Sequence, residues 1–260
     1  MAAKPEFGLG LVSLGRLWGV RPSPLPSRER VHELLTTAVE QGVCIFDTAP
    51  AYGTSEQLTG AFFREVPPSA RRSLILATKC GEHWDAAAQA TFIDHSYDEL
   101  VRSIDRSLER LGTIDILQLH KTTVDVLRSS TVWKALDYAR SCGIRTIGAS
   151  VSDLETGRLA LESDAIEVIQ MPFNMRFRAL EAILHEAAKR NRRVWTNRPF
   201  AMGQLIHEDN VSRMEAYRFI VALGFHGVVL TGTSRPDHLL DDLVAFREAL
   251  NGAADISHEG

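Results

Sequence analysis

The segment SYDELVRSIDRSLERLGTIDILQL, residues 96–119, carries one helix and one strand side by side. Leu100, Ile104, Leu108 and Leu111 recur every three to four residues, an apolar stripe at helical spacing for Tyr97–Leu111. Ser96 stands where an N-cap belongs. Gly112 follows where a helix ends. Ile114–Leu119 is then a short apolar run of strand length, as is Leu74–Thr78 upstream. Strand, helix, strand in this order is the unit of a parallel sheet.

The same alternation continues outward. Toward the N-terminus, strands are expected at Gly8–Leu14 and Val43–Phe46, with helices at Ser27–Gln41 and Ser55–Arg64. Toward the C-terminus, helices are expected at Thr131–Ser141, Leu154–Leu161, Ala179–Arg190, Val211–Leu223 and Pro236–Leu250. Strands fall between them at Thr146–Ala149, Glu167–Ile169, Val194–Thr196 and Gly227–Leu230. Gly42, Gly143, the N-cap Asp153 and Pro236 in a first turn punctuate the pattern. An open doubly wound sheet calls for a Gly-rich phosphate turn after the first strand. Here Gly8-Leu9-Gly10 lies inside that strand and leads into no helix. Eight βα units in 260 residues match the roughly 250 of a closed barrel. Residues 1–260 therefore read as a single α/β domain, a (β/α)8 TIM barrel.

Composition narrows the function classes. With 45% apolar and 24% charged residues the chain resembles an ordinary soluble globular protein, and a net charge of −4 gives no electrostatic case for nucleic acid. Cys44, Cys80 and Cys142 form no CxxC, which argues against a disulfide framework or a zinc site. They read as inert core or wall positions, with Cys80 beside Lys79 a candidate for oxidation. His83 and His95 read as exposed loop residues without metal-ligand spacing. Met1–Phe7 has no apolar leader core, and no apolar run approaches the roughly 20 residues of a membrane span. A cytoplasmic protein free of membrane contact is the expectation; nothing in the sequence sets an oligomeric state.

Barrel active sites lie at the C-terminal ends of the strands. Nearly every strand here delivers a polar group to that rim. Asp47 and Tyr52 follow the second strand, Lys79 the third, His120 the fourth, Ser150 the fifth and Gln170 the sixth. Asn197 and Arg198 follow the seventh, and Thr231-Gly232-Thr233-Ser234-Arg235 the eighth. A free phenol has a pKa near 10, which an adjacent ammonium lowers. Lys79 can thus tune Tyr52 as a general acid, Asp47 can anchor Lys79, and a neutral His120 can align a carbonyl oxygen. A cofactor must then supply a hydride, because no side chain can. Taken singly, each residue has a plainer reading. Asp47 and Lys79 can be a rim ion pair, Tyr52 a wall residue and His120 a satisfied core histidine. Ser150 and Gln170 can be loop caps, and Arg235 a solvated charge.

The stretch FDTAPAYGTSE, residues 46–56, resembles the signature of the aldo-keto reductases. The likeness continues in family order through LATK (76–79), SIDRSLERLG (103–112) and DILQLH (115–120). The resemblance implies a barrel-shaped NAD(P)-dependent carbonyl reductase or alcohol dehydrogenase with Asp47, Tyr52, Lys79 and His120 as its catalytic group. It also implies that Ser150 and Gln170 hold the nicotinamide carboxamide. The segment from Thr231 to His238 would bind the pyrophosphate and adenosine end, Asn197 and Arg198 would border the cofactor, and Asp241 and Asp242 stand where the family often has Glu-Asn. Three departures are visible. Val151 replaces an Asn, Asn197-Arg198-Pro199-Phe200 lacks the aromatic that stacks on the nicotinamide, and the pair on the last helix is acidic. Arg235 favours a 2′-phosphate and the two aspartates oppose it, so NADP is expected with NAD possible, and no metal. The substrate would be a small carbonyl compound or sugar. Many members carry a C-terminal loop over the substrate. The chain ends soon after its last helix, and an open pocket lined by Trp18, Trp84 and residues around Lys121–Val124 is expected. The altered seventh-strand end also keeps open a catalytically weak binding or regulatory protein on the same barrel.

Overall fold

A computed structural model describes residues 4–256, so the reading of the opening residues lies partly outside them, at 1–3. Eight parallel strands close into one barrel, in the order β1-β10-β9-β8-β7-β6-β3-β2. They are β1 (Glu6–Gly10), β2 (Ile45–Asp47), β3 (Ile75–Cys80), β6 (Ile116–Leu119), β7 (Thr146–Ser150), β8 (Val168–Pro172), β9 (Arg193–Asn197) and β10 (Gly227–Gly232). The remaining pair, β4 (Glu82–Asp85) and β5 (Ala90–Ile93), is an antiparallel hairpin above the rim. Around the barrel run α2 (Arg28–Glu40), α3 (Ser55–Glu65), α5 (Tyr97–Leu111), α7 (Ser130–Ser141), α8 (Leu154–Glu162), α9 (Glu181–Lys189), α11 (Arg213–Val221) and α12 (Pro236–Ile256). Short helical turns fill the connections: α1 (Val12–Gly15), α4 (Pro68–Arg71), α6 (Val124–Arg128), a 3-10 turn at Ala201–Gly203 and α10 (Gln204–His207). No helix of the described residues is long and apolar enough to cross a membrane.

The expected barrel is therefore the observed one. Leu100, Ile104 and Leu111 of α5 are buried, as their spacing requires, and Gly112 ends the helix at φ 81°. Ser27 and Asp153 cap α2 and α8 through their side chains. Ser96 holds the N-cap position of α5 without a side-chain bond; its own N–H donates to Asp94 instead. One strand differs. The first ends at Gly10, and Val12–Gly15 coils into a helical turn. Leu11 and Leu14 are both buried, a spacing of three that a strand would send to opposite faces.

Two apolar regions hold the barrel together. The larger lies between strands and helices and includes Phe46, Leu76, Leu117, Ile147, Ile169 and Val229. The smaller plugs the barrel interior: Ile45, Ala77, Ile116, Val168, Trp195, Val228 and Leu230. Strand side chains alternate, so the residue two positions beyond a plug residue shares its face, one layer nearer the rim. Ile45 is followed in this way by Asp47, Ala77 by Lys79, Ile116 by Gln118 and His120, Val168 by Gln170, and Trp195 by Asn197. The dry plug thus becomes the floor of a polar layer.

Candidate active site

Asp47 is the centre of that layer. Lys79 Nζ donates to its Oδ2 at 2.6 Å, Gln170 Nε2 to the same oxygen at 3.0 Å, and Gln118 Nε2 to Oδ1 at 3.1 Å. Lys79 Nζ donates also to the carbonyl of Thr48 at 3.0 Å. All four side chains are buried. Burial pulls the Lys79 ammonium down, yet the Asp47 carboxylate and Tyr52 together hold its pKa above the ordinary 10.5. It is a cation at any neutral pH.

Tyr52 hangs over this pair from the turn between β2 and α3. Lys79 Nζ lies 5.0 Å from the centre of its ring, and the His120 ring meets it edge-on at 6.0 Å. The turn is fixed from three sides. Tyr52 N–H donates to Ala49 O at 3.0 Å and Ser55 N–H to Tyr52 O at 3.2 Å, while Ser55 Oγ donates to Leu11 O at 2.9 Å. Gly15 and Gly53 let the two loops touch backbone to backbone. A Cβ on Gly15 would lie 2.2 Å from Tyr52 O, and one on Gly53 (φ 61°) 2.1 Å from Gly15 O. Burial raises the Tyr52 phenol above its ordinary value by more than the nearby Lys79 charge lowers it. This corrects the expectation of a net lowering: the ammonium acts in the expected direction, but its charge is shared with Asp47 and desolvation outweighs it.

His120 is buried, and burial followed by the Lys79 and Lys121 charges pushes it well below 6.5, leaving a neutral imidazole. Its Nδ1 lies 3.1 Å from Glu82 Oε2 but out of line for a hydrogen bond, and the uncharged ring forms no ion pair there. Its carbonyl accepts from His95 Nε2 at 2.8 Å. His95 is therefore half-buried, and His83, a residue of β4, is buried between Phe92 of β5, whose ring centre lies 5.0 Å away, and Glu99 of α5; neither is exposed. Cys80 is buried and its thiol pushed up to about 12 by desolvation, so oxidation has no thiolate to act on. Cys142 is exposed and Cys44 half-buried, so the three cysteines do not share a core setting.

Asp47, Tyr52, Lys79 and His120 open into one groove of about 680 Å³ across the C-terminal rim. Ser150, Gln170, Asn197 and Arg198 line it, as do Gly232, Thr233, Ser234, Arg235 and His238. Three sequence candidates stand apart from it. Thr231 is buried on the helix side, its hydroxyl 2.8 Å from that of Tyr217. Asp242 is buried against Arg213, whose Nε donates to it at 2.9 Å, and neither it nor Asp241 lines the groove. Arg235 shares its charge with Asp237. Trp18 and Lys121 line the mouth, while Trp84 stacks against Arg16 at its edge.

The donor set fits a nicotinamide dinucleotide. Gln170 Oε1 and Asn197 Oδ1 are buried acceptors without a partner that suit a carboxamide N–H, and Ser150 stands in register beside Gln170 in the same groove wall. The loop after β10 offers hydroxyls, a cation and the start of α12, which suit phosphate. Phe200 meets Tyr217 edge-on at 5.1 Å, which pins it to the wall. Gln118 and Glu82 escaped the sequence reading. The signal for Gln118 was its parity with His120 in an otherwise apolar strand.

The Aldo/keto reductase family model matches residues 6–216. The aldo-keto reductase YhdN of Bacillus subtilis is 31% identical over 194 residues, 72% of this chain and 55% of its own. The NADH-specific methylglyoxal reductase of Escherichia coli is 28% identical over 155 residues, 54% of this chain and 47% of its own. The chain spans about half the length of the curated relatives it matches. Among solved structures, PA4992 of Pseudomonas aeruginosa, assigned to the aldo-keto reductases, superposes with a TM-score of 0.79 at 26% identity, covering 95% of this chain and 91% of its own. With four polar groups meeting over a barrel plug and a family model spanning eight-tenths of the sequence, the chain belongs to the aldo/keto reductase family.

Proposed function

We propose that the chain is an NAD(P)H-dependent oxidoreductase that reduces an aldehyde or ketone, or oxidises the corresponding alcohol or sugar, with Tyr52 as its acid/base group. The observation that carries this reading is the stack of Asp47, Lys79 and Tyr52 beneath a neutral His120 in one groove. Ser150, Gln170 and Asn197 would hold the carboxamide of a nicotinamide, which supplies the hydride when bound. Tyr52 then gives its proton to the carbonyl oxygen. His120, kept uncharged, directs that oxygen without competing for the proton. Lys79, kept charged by Asp47, stabilises the phenolate that forms, so its effect is felt most in the transition state. The residue set for the cofactor's far end is Thr233, Ser234, Arg235 and His238. Sharing with Asp237 weakens Arg235 as a 2′-phosphate ligand, but Asp241 and Asp242 stay out of the groove and do not oppose that phosphate, so NADPH is favoured with NADH accepted. In Tyr52→Phe, turnover should fall by about 10²–10⁴-fold, while NADPH still quenches protein fluorescence. Undiminished turnover in Tyr52→Phe removes the proposed acid.

A further inference from the structure

The groove is cationic in a chain that is acidic overall. Six cations and two carboxylates line it, against a net charge of −4. Most of these charges are accounted for. Lys79 is held by Asp47, Lys121 lies 4.0 Å from Glu82, and Arg235 is paired with Asp237. Arg198 and Arg235 sit on the side proposed for the cofactor.

Arg16 shares the Trp18 ring with Arg198, whose guanidinium carbon also lies 5.5 Å from that ring centre, but Arg16 alone of the two also meets Trp84. Its guanidinium carbon lies 5.5 Å from the Trp18 ring centre and 5.2 Å from that of Trp84, so two indoles, one from the loop after α1 and one from β4, cover it. Its Nη1 reaches the carbonyl of Ala51 at 3.5 Å, one residue before Tyr52. Among the described residues it forms no ion pair with a carboxylate. Aromatic rings over a guanidinium leave its N–H donors in its own plane, the fork that matches a carboxylate in two-point contact. The carboxylates of the groove do not oppose an incoming anion. Asp47 is neutralised by Lys79, and Glu82 has the Lys121 ammonium at 4.0 Å.

The geometry points to Arg16 as the residue that reads a carboxylate at the end of the substrate remote from the reacting carbonyl. The substrate class is then an oxo acid, or a hydroxy acid in the oxidative direction, with Trp18 and Trp84 flanking the spacer. This inference rests on the oxidoreductase reading, and the test separates the two.

4-Carboxybenzaldehyde and its methyl ester carry the same carbonyl and differ in the remote charge. The wild-type protein should reduce the acid with a kcat/KM about tenfold or more above the ester, from a charge-assisted pair. In Arg16→Gln the ratio should fall toward one, and Arg16→Lys should restore part of it. A clamp that merely packs the mouth would change both substrates together and leave the ratio intact, which overturns the inference. So does equal use of acid and ester by the wild type, while hydride transfer still stands. An effect of Arg16→Gln confined to NADPH affinity would assign the guanidinium to a cofactor phosphate and also overturns it. If neither aldehyde is reduced, quenching of tryptophan fluorescence by 4-carboxybenzaldehyde decides. Quenching lost in Arg16→Gln upholds the anion site and drops the oxidoreductase reading; no quenching overturns both.

Discussion

Asp47 is a carboxylate with three donors and one task. It lies buried, satisfied by Lys79, Gln118 and Gln170, and its charge is what allows an ammonium to exist on the barrel floor. Removing one partner of a buried pair leaves the other uncompensated, at a cost of about 3–5 kcal/mol. In Asp47→Asn, burial would act on Lys79 with less opposition, and its pKa should drop from a value now above 10.5. The protonated fraction of Lys79 then rises as the pH falls. Residual turnover in Asp47→Asn should therefore increase from pH 9 toward pH 6, read from kcat profiles with saturating NADPH. A profile parallel to the wild type would show that Lys79 does not depend on Asp47 for its charge. The four polar residues were legible because each follows a strand in a recurrent pattern. Gln118 was not, because a single amide inside Ile116–Leu119 reads as part of a wall until a neighbouring carboxylate on another strand is known. The direction of the Tyr52 shift was hidden for a related reason. The Asp47–Lys79 pair could be read from the sequence, but the desolvation of the phenol could not, because it depends on how the folded rim encloses Tyr52.

The elements matter through the contacts that aim Tyr52. The phenol sits on a loop, and a loop is precise only when something rigid holds it. Here the holder is α1, the helical turn after β1, whose Gly15 lies flush against the Tyr52–Ser55 backbone. Gly15→Ala puts a methyl carbon 2.2 Å from Tyr52 O and 2.3 Å from Ser55 N, backbone atoms that cannot swing aside. Overpacking of this kind costs about 1–3 kcal/mol, and a displacement of the acid by about 1 Å costs on the order of 10²-fold in rate. Thermal melts and kcat of Gly15→Ala should fall together; an unchanged kcat would mean that the turn is placed from elsewhere. The eight barrel strands and their outer helices were readable because each has its own period. The β4–β5 hairpin was not. Ala86-Ala87-Ala88-Gln89 carries no glycine or proline turn signal, and the β5 residues are mostly exposed, so no alternation marks them. Its turn uses Asp85 Oδ1 as acceptor for the N–H groups of Ala87 and Ala88, with Gln89 at positive φ. That omission is what made His83 and His95 look exposed. A carboxylate can also bind elements at a distance. Glu56 on α3 accepts from Thr78 of β3 at 2.7 Å and from Ser107 and Arg110 of α5 at 2.8 and 3.0 Å, which locks the outer layer beneath the Tyr52 turn.

Across the whole molecule, burial of titratable groups sets a pH window for stability. Burial lowers the pKa of His83, His95 and His120 in the fold below the ordinary 6.5. As the pH falls through that value the unfolded chain binds protons that the fold refuses, so stability present above it is lost on acidification. The urea midpoint should decline from pH 7 to pH 5, and a flat midpoint would mean that these rings take up protons inside the fold. Asp242 acts with the opposite sign. Desolvation raises it from 3.8 to about 7, more than the Arg213 guanidinium beside it lowers it. The fold therefore holds a proton there that the unfolded chain has released, and stability drains as the pH rises through that interval. Asn cannot ionise, so Asp242→Asn removes the drain while keeping an acceptor for Arg213. The advantage of the variant over the wild type should grow by roughly 1–3 kcal/mol between pH 5 and pH 8, a rise in Tm of several degrees for a chain of this size. If Asp242→Asn instead lowers Tm equally at both pH values, the ion pair with Arg213 outweighs its burial, and the carboxylate is a stabilising link between α11 and α12.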